Sequence, residues 1–208
     1  MARRPVLLVS SFLLLGLLAL LFVAPPGPRS LKVFDPDRVA DLEVDMWQAY
    51  YNQERVRLFR GLLTLLREQN RYSWARASQQ AYYFAKAAST FGSATGDYDR
   101  VLPDLTRGYD VMRNWTNAGF DPETVARAEL AWWMARRVPG ESEPAHVGQL
   151  MAQVNASIYG VPAERVSRAS VLRAEAAALR DRGGANADWS AVSALLHSSY
   201  RQLYRAVQ

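Results

Sequence analysis

The chain has 208 residues, with no cysteine, 25 basic and 20 acidic side chains. Without cysteine it has no disulfide, no reactive thiolate and no cysteine that accepts a lipid. An uncharged run is flanked by Arg3, Arg4 and Arg29. Without these three arginines the chain has 22 basic and 20 acidic residues, and this near balance does not indicate a nucleic-acid-binding surface.

The uncharged run covers residues 6–24 and predicts a transmembrane anchor. A helix of this length spans roughly 28 Å, close to the hydrocarbon thickness of a bilayer. The alternative is a cleaved secretory signal, whose apolar region is about 7 to 15 residues long and precedes a small-x-small cleavage site. Here a bulky Phe22 stands near the end of the run, and Pro25 and Pro26 follow it directly. We therefore expect the run to be retained as an uncleaved anchor.

The charges beside the run indicate its orientation. Arg3 and Arg4 precede it, and the positive-inside rule places residues 1–5 in the cytoplasm. Residues 25–33 are rich in proline and predict a short stiff spacer. We therefore expect a single-pass protein of the cell (inner) membrane, with residues 34–208 on the outer side, which is the periplasm if the cell is Gram-negative.

Residues 34–208 predict about seven helices, and no stretch alternates with the period of a strand. The first begins with Asp35 as its N-cap and Pro36 at its first position, and runs to about Gln69, with a bend near Asn52 or Gly61. The others are expected from 73 to 91, from 97 through 112, from 122 to 137, from 142 to 160, from 162 to 183 and from 188 through 203. Pro103 bends the third helix or marks its true start. The fold class is therefore all-α, a transmembrane helix followed by a helical-hairpin array or bundle.

Two of these helices share a pattern. Residues 34–47 and 120–133 agree at seven of fourteen positions, and each contains Phe-Asp-Pro, Val-Ala, Glu and Trp in the same register. Capping chemistry accounts for Phe-Asp-Pro without common ancestry. An internal duplication is the other interpretation of the remaining matches, and the sequence leaves both open.

Residues 81–112 resemble a tetratricopeptide-type hairpin, through the turn Gly96-Asp97-Tyr98-Asp99 followed by Leu105 and Gly108. The whole chain, with its segments 41–51 and 128–133, resembles a family of bacterial single-pass membrane-anchored proteins that are all-helical. The resemblance implies an anchored helical domain and brings no activity with it.

Catalytic candidates come from the repeated pattern. Glu43 and Glu129 each lie four residues before a tryptophan, and they approach one another if their helices pack together. Two facing carboxylates are able to serve as a general acid and base. The simpler interpretation is an ion pair with an arginine such as Arg136 or Arg137, which joins one helix to another.

Metal and cofactor sites are not predicted. Glu143 and His146 have the Glu-x-x-His spacing of di-iron bundles, but a second copy is missing and Pro144 places the pair at a helix entrance. The carboxylates of Asp37, Asp41 and Asp45 lie on one helix face, where a solvated surface near a helix N-terminus is the expected structure and a site for a hard cation is the alternative. Phosphate-binding glycine loops are absent from the sequence.

Three aromatic doublets remain, Tyr50-Tyr51, Tyr82-Tyr83 and Trp132-Trp133. Helical neighbours point about 100° apart, so each doublet either buries both rings in the core or leaves one ring for a partner. The candidate partner-binding rings are Tyr51, Tyr83 and Trp132.

The predicted function is a membrane-tethered adaptor or scaffold that binds a protein partner, and a homo-oligomer is compatible with it. One alternative is a membrane-anchored enzyme that uses the carboxylates of Glu43 and Glu129. Another is a binder of apolar ligands with a pocket among Trp47, Tyr82 and Trp133.

Overall fold

A computed structural model describes residues 19–208, and every regular element in that range is helical. The all-α prediction is confirmed there. The eight α-helices of these residues are α1 (Pro36–Tyr51), α2 (Arg55–Glu68), α3 (Trp74–Ser93), α4 (Leu102–Thr116), α5 (Pro122–Ala135), α6 (Pro144–Tyr159), α7 (Ala163–Gly183) and α8 (Trp189–Val207). Short 3-10 turns lie before α4, at Tyr98–Val101, and after α7, at Gly184–Asn186.

Most of the predicted anchor, residues 6–18, lies outside the described residues. Ala19 and Leu20 are helical, and the chain turns at Leu21 and Phe22. Between residues 19 and 208, no helix combines the length and apolar character needed to cross a bilayer. The transmembrane anchor therefore stays a prediction.

The Pro-rich segment 25–33 lies along the surface of the domain. The guanidinium carbon of Arg29 is 3.8 Å from the ring centre of Trp115. Leu31 packs against the core that α4 and α5 share. Further along, the carbonyl of Lys32 accepts a hydrogen bond of 2.8 Å from the side chain of Gln208. The segment expected as a spacer thus makes contacts along most of its length.

The single helix predicted from Pro36 to about Gln69 is wrong, because the chain reverses between α1 and α2. Gln53 adopts a left-handed backbone with φ of 60° in the turn. Arg57 then pairs with Asp45, and Arg38 pairs with Glu68 at 2.8 Å, which is the pairing of an antiparallel hairpin. The predicted bend near Asn52 is therefore a complete reversal, and the domain has eight helices where seven were expected.

The predicted helix ends agree closely with the structure where capping chemistry marks them. Asp35 accepts hydrogen bonds from two backbone N–H groups at the start of α1, and Asp121 accepts one of 2.8 Å from Thr124 at the start of α5. Gly160 ends α6 with a φ of 62°, a left-handed conformation that glycine adopts without strain. Pro103 lies in the first turn of α4 and marks its true start.

The hairpin predicted within residues 81–112 is present as α3 and α4. Phe84 covers Gly108, where any side chain would collide with its ring. Lys86 pairs with the buried Asp104 at 3.0 Å across the same pair of helices. A close helical hairpin is confirmed, and its relation to tetratricopeptide units stays a prediction.

The helices close into a ring. Each helix packs against the next one in the chain, and α1 also packs against α8. The crossing of α6 and α7 is especially close, because a Cβ placed on Gly148 would lie 2.6 Å from the Cα of Val171. Residues 36–207 therefore form a closed bundle, which brings side chains of α1, α5, α7 and α8 towards one interior region.

Candidate functional site

Glu43 on α1 is the centre of a buried polar cluster. Its side chain is only 6% exposed. Oε1 accepts hydrogen bonds from Trp47 Nε1 at 3.2 Å and from Arg173 Nε at 2.9 Å. Oε2 accepts a hydrogen bond from the hydroxyl of Tyr200 on α8. Both carboxylate oxygens are thus occupied by donors from three helices.

Glu129 on α5 repeats this arrangement. Trp133 Nε1 donates to its Oε1 at 3.0 Å, and the hydroxyl of Tyr109 donates to its Oε2 at 3.0 Å. In both clusters the tryptophan lies four residues after the glutamate and the tyrosine comes from the helix packed beside it. The repeated pattern in the sequence therefore corresponds to a repeated side-chain geometry.

Arg173 on α7 distinguishes the two clusters. Its guanidinium pairs with Glu43 and lies 5.8 Å from the ring centres of both Trp47 and Trp132. Burial is the largest single influence on the pKa of Arg173 and lowers it, but the attraction to Glu43 and Tyr200 and the hydrogen bond to Glu43 together raise the pKa above its ordinary value. Glu129 adds to that attraction from the second cluster.

An arginine ion pair at the glutamates was the simpler expectation, with Arg136 or Arg137 as examples. Neither of these contacts the glutamates: Arg136 pairs with Asp181 at 2.6 Å, and Arg137 donates to the carbonyl of Ala94. The partner is Arg173, 130 residues from Glu43 in the sequence. No local pattern marks it, because α7 carries several other arginines.

The chemistry of these clusters is that of structural hydrogen bonding. A general base needs a lone pair directed at a reacting proton, and the lone pairs of Glu43 face Trp47, Arg173 and Tyr200. Burial, followed by the neighbouring glutamate, raises the pKa values of Tyr109 and Tyr200 well above the ordinary range for tyrosine. Both hydroxyls therefore stay protonated and continue to donate at neutral pH.

Each aspartate of the row on α1 lies beside a different basic side chain. Asp37 pairs with Arg201 at 2.7 Å, Asp41 lies 3.1 Å from His197 Nε2, and Asp45 pairs with Arg57. Within residues 19–208, no group of three or more acidic, histidine or cysteine side chains is arranged to hold a metal ion. The row thus fastens α1 to α8 and α2.

The aromatic doublets differ in which ring is exposed. In the first two doublets the exposed rings are Tyr50 and Tyr82, at 62% and 58%. Their neighbours are the candidate partner-binding rings, and both are half-buried: Tyr51 donates to Asp181 at 2.9 Å and stacks under Arg180, whereas Tyr83 packs against the core beside α3 and α4.

The third doublet is packed on both sides. Trp132 contacts the core between α5 and α6, and Trp133 packs edge-to-face against Phe91 with ring centres 5.1 Å apart. The more exposed rings of the first two doublets are therefore Tyr50 and Tyr82, and partner binding through Tyr51, Tyr83 or Trp132 stays a prediction.

The apolar pocket expected among Trp47, Tyr82 and Trp133 coincides with neither of two depressions in the described part of the chain. One, of about 430 Å³, lies between residues 29–32, 116–120 and 157–160. The other, of about 480 Å³, lies at the start of α2, beside residues 54–57 and Arg60. Trp47 and Trp133 instead pack into separate clusters of the core.

Large exposed apolar side chains are concentrated in one part of the described chain. Of eleven that are at least two-fifths exposed, ten lie at or before residue 82. They are Leu20, Leu21, Phe22, Val23, Val33, Tyr50, Val56, Phe59, Trp74 and Tyr82. Among the described residues only Val138 comes later, in the turn between α5 and α6, so α4–α8 bury their large apolar groups far more completely than the elements before them.

Comparisons with protein-family models, with curated proteins and with solved structures found no match to this chain. The resemblances to tetratricopeptide hairpins and to membrane-anchored bacterial proteins therefore stay predictions. Function is inferred from the surface and the interior of the chain itself.

Proposed function

We propose that this protein is a membrane-tethered helical adaptor that binds a protein partner on helices α1–α3, close to the bilayer. The observation that carries the proposal is the exposure of Tyr50, Val56, Phe59 and Tyr82 on these three helices, whereas after residue 82 only Val138 is a large apolar side chain exposed among the described residues. Isolated exposed apolar residues are ordinary, but a set concentrated on a few neighbouring helices is typical of an interaction surface. The uncharged residues 6–24 support the tether.

Tyr82 is the best candidate for a central contact. Tyrosine is enriched at the residues that dominate interface energies, because its ring is large and rigid and its hydroxyl finds a partner. Its neighbours one helical turn away, Ser78 and Ala85, are small and exposed, which leaves the ring accessible from both directions along α3. The ring of Tyr82 therefore protrudes from α3, where the surface of a partner is able to cover it.

The charge around this surface indicates an acidic partner. The depression at the start of α2 is lined by Arg55, Arg57 and Arg60 around Val56, with Glu54 beside them. Within the described residues Arg57 pairs with Asp45 and Glu54, whereas Arg55 and Arg60 form no ion pair. Complementary charge guides association and selects partners more than it adds affinity. We infer a partner that presents carboxylates next to an apolar side chain.

The test is site-specific photo-crosslinking of the full chain in native membranes. A photoreactive residue at Tyr82 is compared with one at Gln202, which is exposed on α8, and the products are identified by mass spectrometry. We expect one reproducible protein neighbour at position 82 and not at 202. Val56→Ala combined with Phe59→Ala should weaken that adduct. Equal adducts at both positions, or an adduct between two copies of this chain alone, contradict the adaptor proposal.

A further inference from the structure

The end of the apolar run is fastened to the domain. The backbone N–H of Ala75, in the first turn of α3, donates to the carbonyl of Leu21 at 2.9 Å. Ala24 packs against the core cluster that contains Leu66 and Tyr72. The side chains of Leu20–Val23 nevertheless stay between 43% and 72% exposed. Four consecutive apolar side chains are thus held in place and left uncovered by the described domain.

Trp74 continues this exposed apolar surface. It is the first residue of α3, next to the hydrogen-bonded Ala75, and it is 44% exposed. The guanidinium carbon of Arg67 lies 4.0 Å from its ring centre, and the same side chain donates to the carbonyl of Tyr72 at 3.1 Å. The ring is therefore held at the surface between an arginine and the end of the apolar run.

Three more arginines surround the same connection between α2 and α3. Arg29 and Arg76 both stack on Trp115, at 3.8 Å and 4.7 Å, and the indole of Trp115 donates to the carbonyl of Asn70. The Nε of Arg71 lies 3.2 Å from where a Cβ on Gly27 would be. Among the described residues, these three and Arg67 form no ion pair with a carboxylate.

We propose that these residues form a membrane-facing surface on which the domain lies against an anionic bilayer. The surface consists of Leu20–Val23, Trp74 and the four arginines Arg29, Arg67, Arg71 and Arg76. The apolar side chains and the indole enter the interface, and the guanidinium groups bind lipid phosphates. This inference rests on the membrane tether of the proposed function and does not depend on the proposed protein partner.

Three observations favour lipid over a protein as the occupant. Leu20–Val23 are the direct continuation in sequence of the uncharged residues 6–19. Tryptophan and arginine are the side chains that favour the boundary between hydrocarbon and headgroups. Guanidinium groups bind phosphate oxygens in a bidentate geometry, and an anionic leaflet attracts each basic residue near it. Position, residue type and charge therefore agree.

The experiment uses the full chain in nanodiscs of phosphatidylcholine, with or without phosphatidylglycerol. Because the chain has no cysteine, a fluorophore on Ser78→Cys or Gln202→Cys is unambiguous. Ser78 lies one turn from Trp74, and Gln202 is exposed on α8. Lipids that carry a nitroxide on the headgroup quench a fluorophore that lies near the bilayer surface. We expect strong quenching at 78, weak quenching at 202, and an increase at 78 with phosphatidylglycerol.

The arginines are tested by charge reversal. Arg67→Glu, Arg71→Glu and Arg76→Glu together should lower quenching at position 78 about twofold or more, because an anionic surface repels the new carboxylates. The matched control reverses Arg165, Arg182 and Arg205, which are exposed on α7 and α8 and also form no ion pair within the described residues. This control changes the net charge equally and should leave quenching unchanged. In the unmodified chain, high salt should weaken the quenching, since it screens exposed charges.

Several outcomes overturn the proposal. These are equal quenching at 78 and 202, no response to phosphatidylglycerol or salt, and equal losses in the two reversal variants. Failure of the tether is separate, because a chain that alkaline carbonate releases from native membranes has no retained anchor. Failure of the adaptor proposal is also separate, since it is measured by crosslinking at Tyr82.

Discussion

Arg173 on α7 donates from its Nε to Glu43 on α1 at 2.9 Å, across a sequence separation of 130 residues. The hydroxyl of Tyr200 on α8 donates to the same carboxylate. One buried glutamate thus links the first helix of the ring to its last two. The ring closes where α1 meets α8, so this contact bears on the stability of the whole domain.

Removing the cation should destabilise the domain strongly. Arg173→Met leaves the carboxylate of Glu43, which is 6% exposed, without its ionic partner. Breaking a buried pair from one side costs about 3 to 5 kcal/mol of the free energy of unfolding. Urea unfolding of the full chain in detergent micelles, followed by circular dichroism, measures the loss.

The matched control for that variant is Arg168→Met on the same helix. Arg168 is 67% exposed, and its contact with Glu175 is long, at 3.9 Å. Its loss should therefore change stability by less than about 0.5 kcal/mol. The double variant Glu43→Gln with Arg173→Met should regain part of the loss, because no buried charge is then left alone. Similar stabilities for Arg173→Met and Arg168→Met would contradict the structural role of the pair.

The two glutamate clusters should respond differently to the same substitution. A glutamine at position 43 or 129 keeps one oxygen to accept from the tryptophan, and its amide NH2 is able to donate to the tyrosine hydroxyl. Only at position 43 does the substitution leave an arginine without its carboxylate. We expect Glu129→Gln to cost about 1 kcal/mol and Glu43→Gln to cost about 3 kcal/mol in unfolding free energy. Equal costs in urea unfolding would show that Arg173 contributes little to the difference.

The close crossing of α6 and α7 gives a third prediction. At Gly148, a Cβ would lie 2.6 Å from the Cα and 2.9 Å from the backbone nitrogen of Val171, and a backbone cannot move aside as a side chain does. Gly148→Ala should therefore lower the free energy of unfolding by about 1 to 3 kcal/mol. Its control is Gly92→Ala in α3, where no atom lies within 4 Å of the new Cβ. That variant should gain up to about 1 kcal/mol from helix propensity, and a loss at Gly92 as large as that at Gly148 would refute the packing explanation.

Alkaline pH should destabilise the domain through its buried tyrosines. Burial raises the pKa of Tyr159 from 10.0 to about 12, and burial together with a neighbouring glutamate raises those of Tyr109 and Tyr200 well above the ordinary value. The unfolded chain then releases these protons first, so their contribution to stability is complete below pH 10 and is lost as pH rises towards 12. Each tyrosine contributes up to about 1.4 kcal/mol per pH unit in that range. Urea unfolding at a series of pH values measures the slope, and Tyr159→Phe should reduce it; a stability that is constant above pH 10 would disprove the prediction.

Sequence patterns located most helix ends because capping acts locally. Asp121 accepts from Thr124, Asp188 accepts from Ala191, and Gly160 adopts a left-handed φ, each within one turn of its own helix. The reversal at Gln53 was missed because residues 52–54 contain neither glycine nor proline. Apolar spacing also continues from α1 into α2, since both helices bury one face in the same bundle.

Long-range pairing was beyond local patterns. The sequence indicated that Glu43 and Glu129 were equivalent, and the structure shows the same two kinds of donor at each. Arg173 is the partner of Glu43 because of how α7 packs near α1, and the residues around Arg173 in the sequence do not indicate that packing. Likewise, the exposed members of the first two tyrosine doublets are decided by packing against other helices and not by the doublets themselves.

The hydrogen bond between Gln208 and Lys32 has a practical consequence for engineering. Because the two ends of the bundle lie side by side, a short linker is able to join them while new termini are opened in the exposed turn around Gly140. A circular permutant of this kind keeps every pair of adjacent helices except the direct connection between α5 and α6. A membrane segment fused to a new terminus would then join the domain at the turn around Gly140 instead of before α1. The choice of terminus therefore decides which helices lie nearest to lipid.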